Sequence, residues 1–418
     1  MNWKRKLIAA RHPRKGRTSM QQHTVRKGDT LQRIAANKGL AINTILSANP
    51  WAALQPYLIP GQMLYLPFSP RRRYAIQPGD TMNRLKNMFH ISEKALEDMN
   101  PGISSSHLPE GRTIVLPTSN PRHVVELRGE YGADQVCTDI EKLATNYPTV
   151  EIGTIGKSVM GKPIWFIKIG KGSRCIHVNA SLHANEWLTT PCAVRFVEEY
   201  AAALQNSAKW HGYDPQRWFE ECTLWVVPMV NPDGVELVQE GIVPGHPYYD
   251  QLQEWNGSKL DFRNWKANIH GVDLGDQFPA HWDEELLRRG KPTPSPRDYG
   301  GTAPLCEPES AALAAFTLET APDAVISLHS QGQEIYWNYR DYEPEESIEW
   351  ARRLGQASGY RPVKLNGSDA GYKDWFIQHF RKPGFTVEIG MGKNPLPLED
   401  FEQVSEDVGL IIAELLSI

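Results

Sequence analysis

The chain has no apolar run approaching the ~18 residues that a membrane-spanning helix needs. Its basic start, residues 1–17, holds only Leu7-Ile-Ala-Ala10 as an apolar patch, too short for a secretory signal core. Cysteine is scarce: five residues among 418, none in a C-x-x-C pair. That excludes a disulfide scaffold or a cysteine-rich zinc module and reads as buried, reduced thiols. Together these absences predict a reducing, cytoplasmic setting. Charge of one sign is also lacking: the net value of −4 excludes a dedicated nucleic-acid binder. What is present is 40% apolar residues. That is enough for a sizeable core, on a length that accommodates two or three domains.

The first third repeats itself. His23-Thr-Val-Arg-Lys-Gly-Asp-Thr-Leu31 matches Tyr74-Ala-Ile-Gln-Pro-Gly-Asp-Thr-Met82, and Ile59-Pro-Gly-Gln-Met-Leu-Tyr-Leu-Pro67 matches Leu108-Pro-Glu-Gly-Arg-Thr-Ile-Val-Leu-Pro117. Between these ends each copy has helical patterning (31–37, 85–89) and an Asn-Pro turn, Asn49-Pro50 or Asn100-Pro101. Each unit reads as strand, helix, helix, strand, with Asp or Thr of Gly-Asp-Thr capping the first helix. The units resemble tandem LysM modules, over 21–68 and 72–118, preceded by a basic tail over 1–20. The resemblance implies binding of N-acetylglucosamine-containing glycans, chiefly peptidoglycan or chitin. Arg71-Arg-Arg73 reads as a solvated linker, and Ser119-Asn-Pro121 as the next domain boundary.

From residue 121 to 418 strands alternate with helices: apolar strands over 164–169, 176–182, 223–230, 324–329 and 385–389, and helices over 186–204, 308–319, 346–358 and 404–416. This predicts an α/β domain around a central sheet. In such sheets ligands bind beyond the carboxyl ends of strands. Three strand ends carry metal-type groups: His183-Ala-Asn-Glu186 after the first, His329 at the end of Val325-Ile-Ser-Leu-His329, and Glu388 at the end of Phe385-Thr-Val-Glu388. Each residue alone is weak. As a set, two His and one Glu make a zinc site with an open water position, and the remaining carboxylate is a candidate general base.

The last 300 or so residues resemble the zinc carboxypeptidase family. The carrying motifs are His183-x-x-Glu186-Trp187, Pro228-Met-Val-Asn-Pro-Asp-Gly234, Gly271-Val-Asp273, Cys306-Glu-Pro-Glu309, Ser327-Leu-His329 and Thr386-Val-Glu388. The resemblance implies an eight-stranded mixed sheet with helices on both faces. It implies one zinc ion held by His183, Glu186 and His329, Glu388 as general base, and Asp273 orienting His183. The family's oxyanion-stabilising Arg follows a Trp; here Trp265 is followed by Lys266, and Arg263 is the competing cation.

The family pattern breaks beside the metal. Family members continue Gly-Val-Asp-x with Asn-Arg, which grips the substrate's terminal carboxylate; here Gly275 and Asp276 stand there. Exchanging attraction for repulsion at ~4 Å and an effective ε of ~20 shifts the interaction by roughly 8 kcal/mol before screening. The position of the family's mobile Tyr, counted back from Glu388, falls on Ile377. Trp265-Lys-Ala-Asn268 with Gly271-Val-Asp-Leu-Gly-Asp-Gln-Phe-Pro279 is similar to the γ-D-glutamyl-diamino acid endopeptidases, apart from Gly275 where Asn is usual. The resemblance implies cleavage of peptidoglycan stem peptides (muropeptides) between γ-D-Glu and meso-diaminopimelate or Lys. Asp276 could then pair with a substrate ammonium, and Arg340 or Lys373 could meet its carboxylate. The competing expectations are a conventional carboxypeptidase or a deacylase on this scaffold, and a non-enzymatic glycan-binding protein with an inert C-terminal domain.

Overall fold

The computed structural model describes residues 20–67 except 39 and 41, scattered positions between 73 and 115, and 123–418 except 128. The tail before Met20, most of the 71–73 linker, most of the 85–89 helical stretch, Gly79-Asp80 and the 119–121 boundary lie outside the described residues. The chain divides into two compact units, with Thr118 closing one and Ser119 opening the bulk of the other.

In the N-terminal unit, strand β1 (Met20–Thr24) pairs antiparallel with β2 (Met63–Pro67). Met20, expected in the tail, therefore begins the first strand. Two helices, Leu31–Lys38 and Ile42–Ala48, lie between these strands in sequence, and Val25, Ile34, Ile45, Leu64 and Leu66 form the core. Thr30, not Asp29, caps the first helix: its Oγ1 accepts the Arg33 N–H at 3.0 Å. Asp29 instead accepts the Arg26 N–H. In the second copy β3 (Arg73–Ala75) pairs antiparallel with β4 (Thr113–Val115). The Asn of each Asn-Pro turn is buried and does the same work twice. Asn49 donates to Ile45 O and Tyr65 O and accepts the Tyr65 N–H. Asn100 donates to Leu96 O and Val115 O and accepts the Val115 N–H.

The C-terminal unit is built on eight strands: β5 (Val150–Lys157), β6 (Pro163–Gly170), β7 (Arg174–Asn179), β8 (Cys222–Val227), β9 (Ala324–Ser330), β10 (Glu334–Tyr336), β11 (Arg361–Val363) and β12 (Gly384–Ile389). Their spatial order is β11-β10-β12-β9-β7-β8-β6-β5. The four central strands β12, β9, β7 and β8 are parallel, while β10 and β6 join them antiparallel, so the sheet is mixed. All seven residues of β9 are buried, which requires cover on both faces. The helix Tyr372–Phe380 supplies part of it through Trp375, Phe376 and Ile377, packed with Val325. Two long helices, Thr189–Gln205 and Phe401–Ser417, pack on each other and contribute further buried apolar faces.

The expected strands over 176–182 and 223–230 stop three residues early, at Asn179 and Val227. Ser181 takes a left-handed φ of 47°. Ala180 and Ser181 then accept the backbone N–H groups of Val230 and Asn231, turning both chains out of the ladder. That turn delivers residues 183–186 to the top of the sheet.

Candidate metal centre

His183 caps, and Glu186 closes, a 3-10 turn, Ala184–Glu186, just beyond β7. His329 is the penultimate residue of β9, and Glu388 stands in register beside it on β12. In-register neighbours on adjacent strands project to the same face. The three ligand-type groups converge, as expected from the sequence. His183 Nδ1 lies 3.0 Å from Glu186 Oε1 and 3.0 Å from His329 Nδ1, and His329 Nδ1 lies 3.1 Å from Glu186 Oε2. Tetrahedral zinc with bonds of about 2.0–2.1 Å spaces its ligand atoms by roughly 3.3 Å. Two ring nitrogens facing one another and a carboxylate at this spacing, all buried, fit such a cation.

The groups behind the ligands fix which nitrogen faces inward. Ser327 Oγ donates to Asn179 Oδ1 at 2.7 Å and so accepts from His329 Nε2 at 3.1 Å, leaving the His329 Nδ1 lone pair for the cation. His183 Nε2 lies 3.3 Å from Asp273 Oδ1. The other Asp273 oxygen takes the Lys266 ammonium at 2.9 Å and the Asp298 N–H at 2.9 Å. Burial pushes the Asp273 carboxyl up, but Lys266 and His183 outweigh it and hold it well below the usual range. Burial likewise opposes charge on Lys266, and Asp273 and Asp276 more than restore it. Burial, then the Glu186 charge, pushes Glu388 up to about 8.

The geometry corrects several sequence expectations. Arg263 is more than half exposed, and its Nε bonds Asp261 at 2.9 Å, so it is spent on a surface pair, whereas Lys266 is buried on Asp273. Ile377 is fully buried in the core among Trp375 and Phe376 and reaches no substrate; the helix Tyr372–Phe380 points it onto the sheet. Asp276 is 2% exposed and pairs with Arg289 at 2.8 Å through Oδ1. Its Oδ2 is buried with no partner among the described residues, and burial followed by the Asp273 charge pushes its carboxyl up to about 7. It is therefore not the bare pocket anion the sequence suggested. Gly275 packs directly behind His183: a Cβ there would run into His183 Nε2. Arg340 is engaged by Asp369 and Glu284, and Lys373 by Asp374 and Asn338 O.

Sequence reasoning missed Arg289 and Asn179, and quoted Ser327 in a motif without giving it a role. That role was findable, because a residue two positions before His329 on a strand shares its face. Arg289 sits on a separate helix, Trp282–Arg289, and nothing in local spacing ties it to Asp276. Among the described residues no helix is long and apolar enough to cross a membrane.

Comparison with known proteins agrees with this geometry. The zinc carboxypeptidase family model matches residues 136–408, and the LysM domain model matches 23–67 and 74–117. The chain is 46% identical to Gamma-D-glutamyl-L-diamino acid endopeptidase 1 of Lysinibacillus sphaericus over 68% of this chain and 72% of that one. It is 42% identical to the uncharacterized protein YqgT of Bacillus subtilis (strain 168), over 67% and 75%. Among solved structures, bovine thrombin-activatable fibrinolysis inhibitor in complex with tick carboxypeptidase inhibitor shares the fold. That match has a TM-score of 0.54 and 21% identity, covering 70% of this chain and 97% of that one. With the ligand triad in place on that fold, the chain belongs to the zinc carboxypeptidase family and carries two LysM domains.

Proposed function

We propose that the protein is a zinc-dependent peptidase that cuts peptidoglycan stem peptides at the bond between γ-D-Glu and a diamino acid. The observation that carries this reading is the 46% identity to an endopeptidase of that name, on a chain that also bears two LysM domains. His183, Glu186 and His329 would hold the metal. When bound, zinc supplies a water of lowered pKa and polarises a carbonyl. Glu388, beside His329 at the strand end, takes the proton of the attacking water and returns it to the leaving amine. Lys266 supplies positive charge for the developing oxyanion, its ammonium held ready on Asp273. Asp273 keeps the His183 ring oriented. The LysM domains hold N-acetylglucosamine-containing glycan and raise the local concentration of stem peptide.

The test is digestion of defined muropeptides with and without a chelator, read by mass spectrometry. Cleavage after γ-D-Glu that stops on chelation and returns with zinc supports the reading. Release of C-terminal residues alone would place the protein with conventional carboxypeptidases, and a folded, zinc-loaded protein that cuts nothing would mark an inert glycan binder.

A further inference from the structure

Arg340 and Lys373 are engaged inside the protein, but a different cation stands in line with the base. Across four neighbouring strands one level of the sheet reads His329 (β9), Glu388 (β12), Glu334 (β10), Arg361 (β11), each in register with the next. In-register residues share a face, and strands are about 4.8 Å apart. Glu334 therefore stands one strand from Glu388, and Arg361 two strands, roughly 10 Å. Glu334 and Glu388 flank the same point: a Cβ on Gly332 would lie 3.7 Å from Glu334 Cγ and 3.8 Å from Glu388 Cβ. Glu334 pairs with Arg361 through one oxygen and accepts the Tyr336 hydroxyl at 2.6 Å through the other. The Glu334 side chain is 18% exposed and that of Arg361 is 74% exposed.

A second carboxylate next to a general base repels it, so the arrangement invites a cation there. Diaminopimelate offers one. Its two amino-acid centres are separated by four C–C bonds, roughly 5 Å, and the far centre bears both an ammonium and a carboxylate. With the near amine at the scissile bond, the far centre lies about one strand spacing away. We propose that Glu334 and Arg361 are the specificity-determining pair for the diamino acid, Glu334 taking the far ammonium and Arg361 the far carboxylate; this rests on the peptidase reading above. Without substrate the two satisfy each other, and with it each exchanges its partner for the opposite charge on one zwitterion. Tyr336 holds the Glu334 carboxylate in place, while the exposed Arg361 side chain has room to swing. A lysine substrate presents only the ammonium, so Glu334 serves both substrates and Arg361 serves diaminopimelate alone.

The experiment uses the full zinc-loaded chain and three peptides: L-Ala-γ-D-Glu-meso-diaminopimelate, the same peptide amidated on the far carboxyl, and L-Ala-γ-D-Glu-L-Lys. The wild type should prefer the first by roughly 10- to 100-fold in kcat/KM, the worth of one charge-assisted hydrogen bond. Arg361→Gln should bring the first peptide down to the level of the other two without slowing those, because Glu334 loses a competing partner and keeps its hold on the ammonium. Glu334→Gln should slow all three through KM. A wild type indifferent to amidation, or an Arg361→Gln variant that slows all three peptides alike or none, overturns the proposal. Wild-type protein that cuts none of the three fails the peptidase reading itself, a result separate from any change in preference.

Discussion

At the residue scale the candidate metal centre brings three side chains together and sets a fourth, Glu388, beside them. Glu388 bonds none of the three converging ligand atoms in the way they bond one another. Glu388→Gln should therefore keep full zinc content, read by elemental analysis, while turnover falls by roughly 10²- to 10⁴-fold; retained turnover would remove Glu388 as the base. Asp273 behaves differently, because it supports a ligand and a cation together. Asp273→Asn should weaken zinc binding by about 10- to 100-fold in a competition with a chelating dye. It should also lower stability, because the buried Lys266 ammonium loses its partner. The convergence of His183, Glu186 and His329 was legible in the sequence, because strand ends fix where such groups can meet. Asp276 was legible only as a change of sign. Its pairing with Arg289 comes from a helix thirteen residues away whose docking no local pattern announces.

At the element scale the strands read best where burial is complete. β9 and β12 stand out as apolar runs, and both carry a functional group near their ends. β10 and β11, three residues each, are too short to display a period. β5 is disguised by its glycines: Gly153 lies under the Phe166 ring, where a Cβ would come within 2.6 Å, so a position that looks like a break is a packing site. In the N-terminal unit the Asn-Pro turn looked like punctuation and is a lock. Asn49→Ala would strand the Tyr65 N–H and the Tyr65 carbonyl, while Ile45 O keeps the Asn49 backbone N–H. At about 1–3 kcal/mol for each buried group left unsatisfied, the first LysM domain should lose most of its stability. Thermal unfolding of the full chain would show an early transition, with stem-peptide hydrolysis unchanged below it. Thr30→Ala should cost about 1 kcal/mol in the same transition.

At the scale of the whole molecule, binding and cutting are assigned to separate units, so they should respond separately to a competitor. Soluble N-acetylglucosamine oligomers should slow hydrolysis of insoluble peptidoglycan and leave hydrolysis of a free stem peptide unaffected. Equal slowing of both would mean that the glycan acts at the metal centre. The two-part organisation was legible because an internal repeat and an alternating strand-helix pattern cannot belong to one core. The duplicated amide lock also bears on how damage spreads. Because Asn49 and Asn100 each close their own copy, neither copy depends on the other's lock for its shape. Damage to one copy should therefore leave its twin folded, so the N-terminal unit should come apart in two steps rather than one.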